Sequence, residues 1–434
     1  MSLGPPAAKG TMRRMGRAGQ ASCAEAWVEP RGASRPSRMA RAARSFMNVP
    51  PPASSSRSRV QVSAGGGTAG RGNAMKITKI ESHIHRSGFT YGAGEAGVGG
   101  NLHLRGMDTL LVRVETEDGR HGWGEAFGFN LVDTTRDALD RLLAPAAIGQ
   151  DAEDIEGLGR MLSKRFHNFG RNGPVTFGIS GLDIALWDLK AQRAGVPLHA
   201  LLGPAARRHV PAYASLLRYG VPGDVARNVR EAVRRGYRQI KLHEVDLGCI
   251  RAAREAAPAE IPLMLDINCA WDSADEAVAF CRAVEGMNIR WVEEPTWPPE
   301  DFAATAAVRE AAHCGISAGE NAGGPRDFRH LLEARALDVA QPSVTKLGGI
   351  TALMEVAALA AEADVELVPH CPYFGPGLLA SLHFLAACAT EQPIEIYFAD
   401  LASPPYGDAL AVRDGFIAVP EGPGLGLQPI PGSR

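Results

Sequence analysis

The chain has 434 residues, 45% of them hydrophobic and 22% charged, with a formal net charge of −2. That composition suits a soluble globular protein of two or three domains with substantial cores. No apolar run reaches the roughly 18 residues of a membrane span, which argues against a membrane role. Seven cysteines, at 23, 249, 269, 281, 314, 371 and 388, show no CxxC spacing, and this favours reduced thiols and a cytoplasmic protein over a disulfide framework.

The near-neutral total joins two unlike polypeptides. Residues 1–74 hold one Lys and eleven Arg against Glu25 and Glu29, a balance of +10, while the rest of the chain carries 34 basic and 46 acidic residues. The first part is rich in Ser, Gly, Pro and Arg and has too few periodic apolar residues to build a core, so a disordered basic extension is expected over 1–74. An organelle transit sequence or a nucleic-acid-binding arm has the same composition. The acidic remainder disfavours phosphate contact, so no nucleic-acid partner is expected.

From Met75 the segments KITKIESHIH and TLLVRVETEDGRHGWGEA read as strands, the second folded into a hairpin at Glu117-Asp118-Gly119. Between them lies a glycine-rich loop, 88–100, of the length that active-site lids have, although its sequence suits disorder equally. His85 and His103 read equally as ordinary surface residues or as polar groups near a substrate. The pattern GISGLDIALWDLKAQRAG, 178–195, predicts a helix stopped at Gly195.

After about residue 208, short β runs alternate with amphipathic helices. The runs are 210–215, 239–243, 262–268, 289–295, 316–321, 338–344, 366–371 and 394–399. Eight repeats of this kind predict a parallel sheet closed as a barrel, with the active site at the C-terminal ends of the strands. No glycine-rich dinucleotide or phosphate loop supports an open doubly wound sheet instead.

Chemistry concentrates at those ends. Asp266, Glu293 and Glu320 close three successive runs and are spaced 27 residues apart in both steps. Register of that kind sets three carboxylates side by side on one rim, where they repel one another unless a cation neutralises them. All-oxygen donors suit Mg²⁺, with Mn²⁺ as a possible substitute, better than Zn²⁺. In the second run, QIKLHE, Lys241 and His243 project to one face while Ile240 and Leu242 point to the other. A surface carrying two basic groups is not a plain core.

Taken together, KLH, LDIN, WVEEP, GEN, QPSVTKLGGI and VPHCPYFGPG resemble the enolase superfamily, in its mandelate racemase-like branch, over essentially all of 75–434. The resemblance implies an α/β fold: an N-terminal α+β capping domain (75–207), a modified TIM barrel, (β/α)₇β (208–400), and a C-terminal segment (401–434) that returns to the cap. It also implies a homo-oligomer. Asp266, Glu293 and Glu320 match the Mg²⁺ ligands, with Asn268 and Asn321 beside them. The shared step is removal of the proton α to a substrate carboxylate, giving a metal-stabilised enediolate; a Lys or His base paired with Mg²⁺ is the known arrangement for this superfamily.

Two departures stand out. The usual Lys-x-Lys is Lys241-x-His243, so His243 is expected as the base and Lys241 as a holder of the substrate carboxylate; the alternative makes Lys241 the base. Histidine needs less tuning to be neutral near pH 7, its reference value being about 6.5 against about 10.4. His370 matches the acid–base histidine of the opposite face, but Ser343 stands where an Asp partner is usual. A hydroxyl cannot stabilise imidazolium as a carboxylate does, so His370 is expected to lean towards neutral unless another acid reaches it. Lys346 fits the pattern without an assigned role. The expected eighth-strand acid is one of Glu395, Asp400 or Asp408. Polar groups at the mouth favour dehydration or cycloisomerisation of a sugar acid, over a racemase or epimerase of a 2-hydroxy acid and over a non-catalytic enolase-like binding protein.

Overall fold

The computed structural model describes residues 75–90 and 107–430. The expectations for 1–74, for most of the 88–100 loop and for His103 lie outside the described residues. Among the described residues no helix is long and apolar enough to cross a membrane.

Strand β1 (Ile77–Ser87) is followed by the two-residue β2 (Phe89–Thr90), and β3 (Met107–Thr116) then pairs antiparallel with β1 and with β4 (His121–Ala126). The hairpin between β3 and β4 turns where the Asp-Gly chemistry places it: Gly119 adopts φ +77° and the Thr116 hydroxyl donates to Asp118 at 2.6 Å. A helix over Pro174–Ala194 lies on β4. Its start at Pro174 uses the residue suited to a first turn, and its end at Gly195 is left-handed, φ +70°. Gly124 permits the close approach, since a Cβ there would sit 1.9 Å from the Gly181 carbonyl oxygen. His85 is not a surface residue, the first of its two readings from sequence. It is buried, with Nε2 2.6 Å from the Ser403 carbonyl, because its strand is covered by the C-terminal segment.

The second sheet holds β5 (His209–Ser215), β6 (Ile240–Leu242), β7 (Leu263–Asp266), β8 (Ile289–Glu293), β9 (Gly315–Ala318), β10 (Val339–Ala340), β11 (Glu366–Leu367) and β12 (Ile394–Tyr397). Neighbours run parallel in chain order from β5 to β11, and β12 pairs beside β5, giving the α/β barrel that the repeats predict. Helices cover its outside, and the largest hydrophobic cluster lies between them and the strands. The strands are shorter than the apolar runs of the sequence. Ladders stop before Pro342 and Pro369, which cannot donate, and before Gly319, which adopts φ +124°. Glu320, Ser343 and His370 therefore stand beyond the hydrogen-bonded ladder, whereas Asp266 and Glu293 are the last residues of their strands. In the final segment β13 (Asp400–Leu401) pairs with β2, and β14 (Phe416–Ala418) with β5.

Three buried carboxylates tie the parts together. Glu125 accepts from the Gly377 N–H at 2.8 Å, Asp183 from the Thr351 N–H and hydroxyl, and Asp188 from the Trp123 and Leu425 N–H groups at 2.8 Å each. Burial outweighs these bonds, pushing Glu125 from 4.5 up to about 8, Asp183 from 3.8 to about 7 and Asp188 from 3.8 to about 6. A carboxyl raised on folding stabilises fully below its unfolded value, and that contribution is lost as pH climbs through the folded value. Thermal stability is therefore expected to fall as pH rises from about 4 to about 8. Glu125→Gln should flatten this slope in melts across the range; a slope equal to that of the wild type would remove Glu125 from the account.

Candidate active site

The three spaced carboxylates meet as their register requires. Asp266 pairs with Glu293 across β7 and β8, and Glu320 follows β9 by two residues. One oxygen from each lies within 4.8 Å of the others. Asp266 and Glu293 are fully buried. Hydrogen bonds aim each one: the Asn268 side chain donates to Asp266 at 2.8 Å, Gln341 and the Trp291 indole to Glu293 at 2.8 and 3.2 Å, and Asn321 to Glu320 at 3.0 Å. Asn268 and Asn321 thus hold the carboxylates through their side-chain amides.

Lys241 is enclosed, its Nζ 3.1 Å from Asp266, 3.3 Å from Glu293 and 2.7 Å from Glu395. Burial alone would lower its pKa, but Glu293, Glu395 and Asp266 outweigh it and hold the ammonium well above its usual range. At Asp266 burial is likewise outweighed, here by Lys241 and His243, and the carboxyl lies at about 2. Glu293 goes the other way, pushed far up by burial and by Asp266. Two lysines, Lys241 and, 3.6 Å from Glu320, Lys346, answer four carboxylates, which leaves the set short of positive charge. A hard divalent cation held by Asp266, Glu293 and Glu320 fits that deficit and the all-oxygen donor set.

Two imidazoles flank the triad. His243 Nδ1 meets the Leu216 carbonyl, which can only accept, so the N–H is fixed there and Nε2 exchanges the proton. That Nε2 lies 3.2 Å from Asp266. From the other end of the triad, His370 Nε2 lies 2.9 Å from Glu320, and its Nδ1 lies 3.0 Å from the Ser343 hydroxyl. An acid therefore does reach His370, through Nε2. Ser343 is itself hydrogen-bonded to the Tyr373 hydroxyl, and both are buried. Lys346 donates to Asn321 at 2.7 Å, lies 3.6 Å from Glu320 and sits over the Phe127 ring.

Of the three eighth-strand acids, the one at the site is Glu395, which binds Lys241 and accepts from the Cys371 N–H at 2.7 Å. Asp400 pairs with Arg235 at 2.6 Å, and Asp408 is exposed. The alternation Ile394-Glu395-Ile396 carried the signal, turning Glu395 alone to the inner face. Tyr373 and Arg218 escape sequence reasoning because they stand outside any periodic pattern, and Gln341, within the run 338–344, carries no charge to mark it. Arg218 donates from Nε to the His243 carbonyl and from Nη2 to Asn268 Oδ1 at 3.2 Å.

Comparison with known proteins agrees with this fold. Residues 104–203 match the family described as mandelate racemase/muconate lactonizing enzyme, N-terminal domain, and residues 224–432 match enolase C-terminal domain-like. The chain is similar to D-galactarolactone cycloisomerase of Agrobacterium fabrum, 32% identical over 375 residues that span 82% of this chain and 96% of that protein. D-galactonate dehydratase of Ralstonia nicotianae is 32% identical over 341 residues, 73% and 88% of the two chains. A crystal structure of an L-talarate/galactarate dehydratase variant liganded with Mg and L-glucarate superposes with TM-score 0.73 at 27% identity, covering 87% of this chain and 96% of that one.

Proposed function

Because this chain belongs to the mandelate racemase/muconate lactonizing enzyme family of the enolase superfamily, we propose that it is a Mg²⁺-dependent enzyme that removes the α-proton of a sugar acid or its lactone and then expels the oxygen on the β-carbon. If that oxygen is a hydroxyl, the reaction is dehydration; if it belongs to a ring, the ring opens and the enzyme is a cycloisomerase. The observation that carries the reading is the pair of histidines at opposite ends of one carboxylate triad, with Nε2 atoms 3.2 Å from Asp266 and 2.9 Å from Glu320.

His243 takes the α-proton on Nε2, its ring held by the Leu216 carbonyl. Lys241, kept cationic by its neighbours, sets positive charge beside the reacting carboxylate. Asp266, Glu293 and Glu320 would hold Mg²⁺, which would supply positive charge to stabilise an enediolate. His370 gives its Nε2 proton to the departing oxygen as the carbon–oxygen bond breaks. The ring acts in this step as imidazolium: Ser343 can accept from its Nδ1–H, and loss of the Nε2 proton leaves the neutral imidazole. The resulting enol takes a proton at the β-carbon to give a 2-keto-3-deoxy acid.

Hard oxygen donors support Mn²⁺ as a substitute. The described cysteines, all free thiols, support a reducing cytoplasmic location. Incubation with Mg²⁺ and a panel of sugar acids and lactones in D₂O, followed by NMR and mass spectrometry, tests the reaction. Loss of water or ring opening is expected; deuterium at the α-carbon with neither would make the enzyme an epimerase.

A further inference from the structure

Arg218 is a cation at the barrel mouth with no carboxylate to answer it. It follows β5 by three residues, on the same rim as His243 and Asn268. Among the described residues its guanidinium is in no ion pair. Glu244, whose charge reaches it, accepts instead from the N–H groups of Tyr219 and Gly220 at 2.6 and 3.2 Å. Two other arginines without an acid partner are spent on carbonyl groups: Arg207 uses both Nη atoms on Cys388 and Ala389, and Arg254 uses both on Ile261, Met287, Ala257 and Pro258. Arg218 commits one edge, Nε and Nη2, to the His243 carbonyl and to Asn268. The edge formed by Nη1 and the second Nη2 hydrogen stays open, the geometry that grips a carboxylate with two parallel bonds.

Its position says which carboxylate. Arg218 binds Asn268 and Asn268 binds Asp266, so the guanidinium stands two hydrogen bonds, 3.2 and 2.8 Å, from the triad. It is too far to share the reacting carboxylate and is placed beside the histidine that takes the α-proton. We propose that Arg218 binds a second carboxylate at the far end of the substrate and so selects dicarboxylic sugar acids, or their monolactones, over acids with one carboxylate. This rests on the reading that the reacting carboxylate sits at the triad.

The test is calorimetric binding of galactarate, with two carboxylates, and galactonate, with one, to the Mg²⁺-loaded protein. Wild type is expected to hold galactarate about ten- to a hundredfold more tightly. Arg218→Met should abolish that preference by weakening galactarate far more than galactonate, while Arg218→Lys, which keeps the charge without the fork, should retain part of it. Equal wild-type affinities would overturn the proposal, and so would an Arg218→Met variant that weakens both ligands alike, the mark of a residue that only props His243 and Asn268. Should Arg218→Met fail to fold, the wild-type ratio and Arg218→Lys still decide. A preference for galactarate without any α-proton exchange would uphold Arg218 and remove the reaction class instead.

Discussion

Glu293→Gln is expected to lower turnover by about a thousandfold or more while the protein stays folded. The side chain keeps its shape, and its remaining oxygen can still accept from Gln341 and the Trp291 indole. What changes is the other end: the new amide N–H₂ points where Glu293 now accepts from Lys241, and one of three charges facing a divalent cation is gone. Titration with Mg²⁺ should show a large loss of affinity, circular dichroism an unchanged fold, and deuterium exchange a lost reaction. Activity within tenfold of wild type would sink the triad as a metal centre.

His243→Asn separates the base from its neighbour. Exchange at the α-carbon should fall by about 10²- to 10⁴-fold, the usual worth of a positioned base, while Mg²⁺ binds as before because Asp266 keeps its Asn268 bond. Lys241→Met should behave otherwise. Removing a fully buried ammonium leaves Asp266, Glu293 and Glu395 without their shared partner, a loss on the order of 3–5 kcal/mol. If exchange survives in His243→Asn and vanishes in a folded Lys241→Met, the base is Lys241.

The barrel and its triad were legible because both rest on repetition. Each strand-helix unit returns the chain to the same rim, so carboxylates 27 residues apart had to become neighbours, and side-chain alternation set Lys241 and His243 on one face. What stayed hidden depends on loops and on contacts between distant parts. Tyr373 lies three residues past His370 in a segment without period, and its hydroxyl reaches Ser343 only through the turn the chain makes there. The burial of His85 stayed hidden because nothing in its own strand announces that Ser403, over three hundred residues later, covers it. Glu395 was left among three candidates for lack of a strand end, which tertiary pairing with β5 supplies.

The enclosure of Lys241 by Asp266, Glu293 and Glu395 has a consequence for how the protein matures. An internal ammonium already bridges the carboxylates that would otherwise force the barrel rim apart, so the chain can fold before any metal arrives. Folding and metal loading are then separate events, and a cell short of magnesium would accumulate intact, idle protein. Stripping with a chelator should accordingly yield a stable apoprotein that regains its activity on adding the ion back, with no refolding step between.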